Sequence, residues 1–243
     1  IEGYKVTVEA FCTDGMPMYE LVGLPDAAVK ESRERVRAAM ASCHMFFPVT
    51  RLTLNLAPAD TKKEGPAFDL PIALAIMASS GMLDPDAFEG IAAVGELSLT
   101  GNVVGVRGAL SMAIAAREQG VRAMLMPADN AKEAACVEGL DVLPVHHLQE
   151  AIDHLRGKKK IAPMETVPYA QLMRARRMSS DFADVRGQRS AKRALEIAAA
   201  GGHNVLMIGP PGSGKTMMAR CLPGILPDMT LDEALEVTRI HSA

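Results

Sequence analysis

Apolar and polar residues alternate over positions 4–12 and 51–56, the two-residue period of a strand with one buried face. Between them, Pro25 and Asp26 open a run to position 41 in which Val29, Val36 and Met40 recur at core spacing among charged residues. That pattern predicts an amphipathic helix. Positions 68–79 are apolar almost throughout and predict a buried helix, with Pro71 tolerated in its first turn. Further strands are expected at 91–97, 123–126 and 142–145, and helices at 110–119 and 147–155. The alternation is that of an α/β domain ending near Arg156.

The pattern then breaks. Gly157, Lys158, Lys159 and Lys160, two prolines and the basic cluster at 174–177 predict a linker over 157–180. A solvated tether is the first reading of this segment, and a basic stretch contacting nucleic acid is the second. A second α/β unit is expected over 181–243: a helix at 188–199, a short apolar strand at 204–208, a glycine-rich loop, and a helix from Lys215. The expected domains are therefore 1–156 and 181–243.

Composition narrows the classes. In 243 residues, 49% are apolar and 23% charged, which suits a folded chain with a real core. A net charge of −3 argues against wholesale electrostatic binding of nucleic acid, although not against a local basic patch. Cys12, Cys43, Cys136 and Cys221 lie far apart, with no CxxC pair, and read as buried thiols in a reducing cytoplasm. No apolar run reaches the length of a bilayer span, so no membrane partner is expected. No signal peptide is visible in a chain that begins at Ile1 rather than Met.

The sharpest chemistry lies at 209–216. Gly209, Pro210, Pro211, Gly212, Ser213, Gly214, Lys215 and Thr216 match G-x-x-x-x-G-K-[ST] in full, between an expected strand and an expected helix. Glycines let backbone N–H groups approach phosphate oxygens, and a helix N-terminus adds free donors and a positive dipole end. Lys215 is expected to bridge the β- and γ-phosphates of ATP and to be the catalytic cation, while Thr216 supplies a hydroxyl to Mg²⁺. Met217, next along the helix, joins the nucleotide-contacting set. Hydrolysis also needs an acidic pair on a neighbouring strand. Asp232 and Glu233 follow Lys215 too closely and sit in a helical pattern, so they are read as a decoy. On this reading the chain stops before its Walker B motif and is expected to be inactive alone.

The run DFADVRGQRSAKRALEIAAAGGHNVLMIGPPGSGKTMMARCLPGILP resembles the magnesium-chelatase-like AAA+ ATPases of the ComM/YifB group. YELVGLPDAAVKESRERVRAAM, LNLAPADTKKEGPAFDLPIALA and VGELSLTGNVVGVRGAL are similar to that group's N-terminal domain, so the resemblance covers nearly the whole chain. A more distant resemblance links the first domain to the proteolytic domain of Lon-type proteases. Together these imply a ribosomal-protein-S5-domain-2-like fold followed by the start of a P-loop AAA+ domain. They also imply a homo-hexameric, ATP- and Mg²⁺-dependent DNA helicase or branch-migration factor in natural transformation or recombination. The alternative is an ATP-dependent protein remodeller or a metal-insertion subunit of the magnesium chelatase type; true chelatase subunits resemble only the second unit. A third reading makes the first domain a binding adaptor. The resemblance places Val185 and Gln188 beside the adenine base.

Against the Lon pattern, the serine position is Ala67 and the lysine position falls close to Met112, so both halves of a Ser–Lys dyad are missing. Lys62, Lys63, Glu64 and Asp69 are then read as structural. Lys30, Arg33 and Arg37 share one face of the 26–41 helix as a candidate phosphate-tracking stripe, with Glu31–Arg35 an ordinary i,i+4 pair. His146, His147 and His154 lack the partners of a metal set, and His203 reads as a capping or packing residue.

Overall fold

The computed structural model describes residues 3–166, 180–230, 233, 234, 236 and 237. They divide into two compact units: the first is Ile1–Val167 with Glu236–Ala243, the second Pro168–Leu235.

The first unit is mixed α/β. Strands β1 (Thr7–Thr13), β2 (Met18–Val22) and β3 (Arg51–Ala57) form a sheet of order β1-β3-β2, antiparallel between β1 and β3 and parallel between β2 and β3. The connection between the parallel strands is α1 (Ala27–Ser42). Asp26 caps this helix by accepting from the Val29 amide at 2.8 Å, and Val29, Val36, Ala39 and Met40 face the core. Helix α2 (Asp69–Ser79) follows a 3₁₀ turn at Pro66–Phe68 and is buried on nearly every side, as its apolar composition requires.

A second sheet contains β4 (Ile91–Ala93), β7 (Ala123–Pro127) and β8 (Asp141–Val145), all parallel, in the order β4-β7-β8. Between β4 and β7 come the short hairpin of β5 (Glu96–Leu97) and β6 (Val103–Val104) and then α3 (Ala109–Glu118). Helix α4 (Ala128–Ala134) connects β7 to β8, and α5 (Leu148–Leu155) closes the series. Leu52, Leu54 and Leu56 of the first sheet share one core with Leu125, Leu143 and Val145 of the second and with α2. Each such side chain contributes about 1.5–3 kcal/mol by leaving water.

The expected strand over 91–97 is two strands rather than one. At the break, the Gly95 amide donates to the Ala67 carbonyl and its carbonyl accepts from Leu70, so the chain leaves the sheet to hold the start of α2. A Cβ at Gly95 would lie 2.8 Å from Val103, which is why glycine stands there. The start of the expected linker is docked: Ile161 packs on the core, and the Met164 amide donates to the Val142 carbonyl at 2.7 Å. The basic cluster at 174–177 lies outside the described residues.

The second unit is smaller. It contains a 3₁₀ turn at Phe182–Asp184, α6 (Arg189–Gly201) and α7 (Lys215–Cys221) around a cluster of Val185, Leu195, Met218 and Cys221. The strand expected at 204–208 is not formed. A strand is held by a neighbour's ladder, and no described residue pairs with this segment, so Leu206 and Ile208 remain 83% and 87% exposed. All four cysteines are free, but only Cys43 and Cys221 are buried as expected, Cys12 and Cys136 being half-buried, and no helix among the described residues is long and apolar enough to cross a membrane.

Candidate functional sites

The glycine-rich loop is built by backbone conformation. Gly212 and Gly214 have φ of 80° and 83°, in the left-handed region that favours glycine. Gly214 begins α7 without any side-chain cap, which leaves the first-turn amides available to a ligand. The helix is anchored from behind by Met218 and Cys221, while Thr216 and Met217 are exposed.

Lys215 folds over the loop. Its Nζ donates to the carbonyls of Gly209 and Pro210, both at 2.8 Å, and to Ser213 Oγ at 3.2 Å. All three ammonium donors thus meet neutral oxygens, and among the described residues no carboxylate pairs with the charge. A cation, uncapped amides and an exposed hydroxyl form a donor set that suits a phosphate chain with its Mg²⁺. Val185 is buried against the rear of α7, and Gln188 is an exposed, left-handed residue (φ 51°) at the start of α6. Glu233 is used locally, accepting from the Thr230 amide at 2.8 Å and from its hydroxyl at 3.0 Å. Asp232 lies outside the described residues.

The first unit has its own concavity, a cleft of about 690 Å³. Ala67 and Met112, the positions matched to the Lon-type dyad, both line it, as do Ser111, Lys5, Lys62 and Arg107. The other polar residues near Ala67 are largely structural. Asp69, with 1% of its side chain exposed, receives Arg35 Nε at 2.6 Å, an Arg35 terminal nitrogen at 2.9 Å and the Leu97 amide at 3.1 Å. Burial raises the Asp69 carboxyl above its ordinary value, partly offset by Arg35. Arg35 is therefore not chiefly the i,i+4 partner of Glu31, which is 4.0 Å away. The signal was available: one aspartate opens an otherwise apolar helix, and Arg35 falls on the α1 face of Ser32 and Ala39. Lys63 is fully buried and donates to the carbonyls of Pro58 and Thr61.

On α1, Lys30, Arg33 and Arg37 are exposed, with Arg33 5.2 Å above the Tyr19 ring and Arg37 3.8 Å from Glu34. The histidines serve local roles. His147 caps α5, His154 Nδ1 accepts from the Ile161 amide at 2.8 Å, and the His203 ring packs on Gly201.

A family profile described as "Subunit ChlI of Mg-chelatase" matches residues 8–130, and one described as "Magnesium chelatase, subunit ChlI" matches 181–243. YifB of Escherichia coli is 43% identical over 240 residues, covering 98% of this chain and 46% of its own length. The competence protein ComM of Haemophilus influenzae is 42% identical over 243 residues, covering 100% of this chain and 48% of its own. The chain belongs to the magnesium-chelatase-like ComM/YifB group. It spans about half the length of these relatives. The likeness to chelatase is not confined to the second unit, since a ChlI profile also matches the first. A mitochondrial Lon protease homolog of Bos taurus is 33% identical over 117 residues, 46% of this chain and 12% of its own length. The cleft is thus a feature of a ComM/YifB-group member with a Lon-like first unit.

Proposed function

We propose that the protein to which this chain belongs is an ATP-dependent AAA+ motor of the ComM type. It works in the cytoplasm as a homo-hexamer on DNA, in branch migration during natural transformation or recombination. The observation that carries the nucleotide reading is Lys215, an ammonium that among the described residues bonds only to neutral oxygens, at the uncapped start of α7. In this reading Lys215 meets the β- and γ-phosphates, and the backbone of Gly209, Gly212, Ser213 and Gly214 cradles them. Thr216 holds Mg²⁺. Pro210 and Pro211 stiffen the outer side of the loop, Met217 borders the phosphates, and Val185 and Gln188 lie beside the base. The first unit is read as a non-proteolytic, S5-domain-2-like relative of the Lon domain, in support of which stand Ala67 and the Lon similarity.

The DNA reading draws on a relative named as a competence protein. A second reading, a remodeller of proteins or an inserter of metal, draws on the two profiles named for magnesium chelatase. The full-length parent's ATPase rate, titrated with forked or four-way DNA and then with unrelated protein, separates the two. The motor reading expects DNA stimulation, with turnover falling about 100-fold or more in Lys215→Ala, as for loss of one charge-stabilising group. Hexamers that form on ATP but ignore every DNA would establish the remodeller instead.

A further inference from the structure

Two connections of the first sheet are apolar where a connection is ordinarily polar. The turn from β1 to β2 carries Met16 and Pro17, and the loop from α1 to β3 carries Met45, Phe46, Phe47, Pro48 and Val49 in unbroken succession. The Met18 amide donates to the Thr50 carbonyl at 3.3 Å, which brings the two together. The loop is held. His44 takes a left-handed turn (φ 57°), and the Met45 amide donates back to the Met40 carbonyl of α1 at 2.9 Å. Met45 and Phe47 then pack on the core. Phe46 and Val49 are left facing out, 85% and 79% exposed, and Met16 of the turn is 88% exposed. Single exposed apolar residues are ordinary, but a cluster of them held around a groove marks a face that another molecule covers.

The groove itself is about 400 Å³ and is lined by both connections and by Arg33, Arg37 and Ala41 of α1. Among the described residues no carboxylate lines it. Arg33 is steadied 5.2 Å above the Tyr19 ring. Both arginines lean on Glu34, at 3.9 and 3.8 Å, in exposed pairs that exchange partners at little cost. Two cations thus share one carboxylate among the described residues. That is too little charge to grip a phosphate backbone, whose hold grows with every cation it meets. It does suit one or two carboxylates set among apolar side chains. The apolar surface also runs past the groove to Met16, farther than a small ligand would cover.

We propose that this face docks a partner protein, through a segment that sets apolar side chains into the groove and carries an acidic residue against Arg33 and Arg37. Because Met45 and Phe47 already fix the loop, Phe46 and Val49 are presented to the partner with little ordering left to do. The site is independent of the nucleotide reading, since every residue in it belongs to the first unit.

Fluorescence anisotropy of the whole chain with a short fluorescein-labelled amphipathic peptide of leucine, phenylalanine and glutamate tests this. Saturable binding is expected, weakened about tenfold by Phe46→Ser, a loss typical of one interface anchor. Replacing the peptide's glutamates with glutamine should weaken binding severalfold. The same replacement should change nothing in the double variant Arg33→Gln with Arg37→Gln, which has already lost that contact. All three positions are exposed, so the variants should keep the wild-type circular dichroism spectrum. Absence of saturable binding, equal affinity in Phe46→Ser, or equal affinity for the two peptides overturns the proposal. So does displacement of the peptide by oligothymidylate or by phosphatidylglycerol vesicles, which would give the face to nucleic acid or to a membrane. Self-association in sedimentation that is lost in Phe46→Ser would make the face a contact between copies of this chain. Binding that the full-length parent does not share would show the groove covered in the parent. Either result overturns it.

Discussion

The Arg35–Asp69 pair joins α1 to the first turn of α2 across 34 positions of sequence, with one partner almost wholly enclosed. Two charges held this way are expensive to separate, because removing one leaves the other buried and unanswered. Arg35→Met is accordingly expected to cost about 3 kcal/mol in urea unfolding followed by circular dichroism. Arg35→Met combined with Asp69→Leu should recover most of that loss, since both charges are then gone. A double variant as unstable as the single one would show that the Leu97 amide, not the arginine, is the partner that matters. Lys63 presents the opposite case: a buried cation satisfied by carbonyls, with no carboxylate bonded to it among the described residues.

At the scale of elements, α5 and the segment after it are coupled through one imidazole. Burial, with some help from Lys160, lowers the His154 pKa below its ordinary 6.5, and the neutral ring accepts from the Ile161 amide. The unfolded chain therefore binds this proton more readily than the folded one. The contribution of His154 to stability is complete above pH 6.5 and is lost as the pH falls through the window below it. The thermal midpoint of the first unit should drop on acidification through that window, and drop less in His154→Leu. An identical pH slope in the variant would assign the effect to other groups.

Elements with a long, unambiguous period were legible in the sequence. Helix α1 carried its Asp26 cap and its Val29, Val36 and Met40 spacing in plain view, and α2 carried an apolar run too long for a strand. Strand β2, strand β6 and α4 were not read, being two to seven residues each and dependent on partners distant in sequence. The 204–208 segment misled for the same reason in reverse: its apolar content is that of a strand, but a ladder needs a second strand. The phosphate loop was legible because eight consecutive residues hold its chemistry. The cleft was not, because Lys5, Lys62, Ala67, Arg107 and Ser111 meet only once both sheets and α3 are assembled.

Across the whole molecule, the two units differ in how much they bury. The first encloses a shared core drawn from two three-stranded sheets, the β5–β6 hairpin and helices α1, α2 and α5, whereas the second gathers Val185, Leu195, Met218 and Cys221. Local opening follows buried contact, so amide exchange should be orders of magnitude faster over 204–214 than in β3 and β7. Mass-spectrometric hydrogen exchange on the whole chain measures this, and comparable protection in both regions would mean that the second unit has support its buried cluster does not supply. The enclosed Lys63 adds a consequence for chemical labelling. An acylating reagent meets the exposed Lys62 and passes its neighbour by, so position 63 is a silent lysine for as long as the turn from Pro58 to Thr61 stays closed over it.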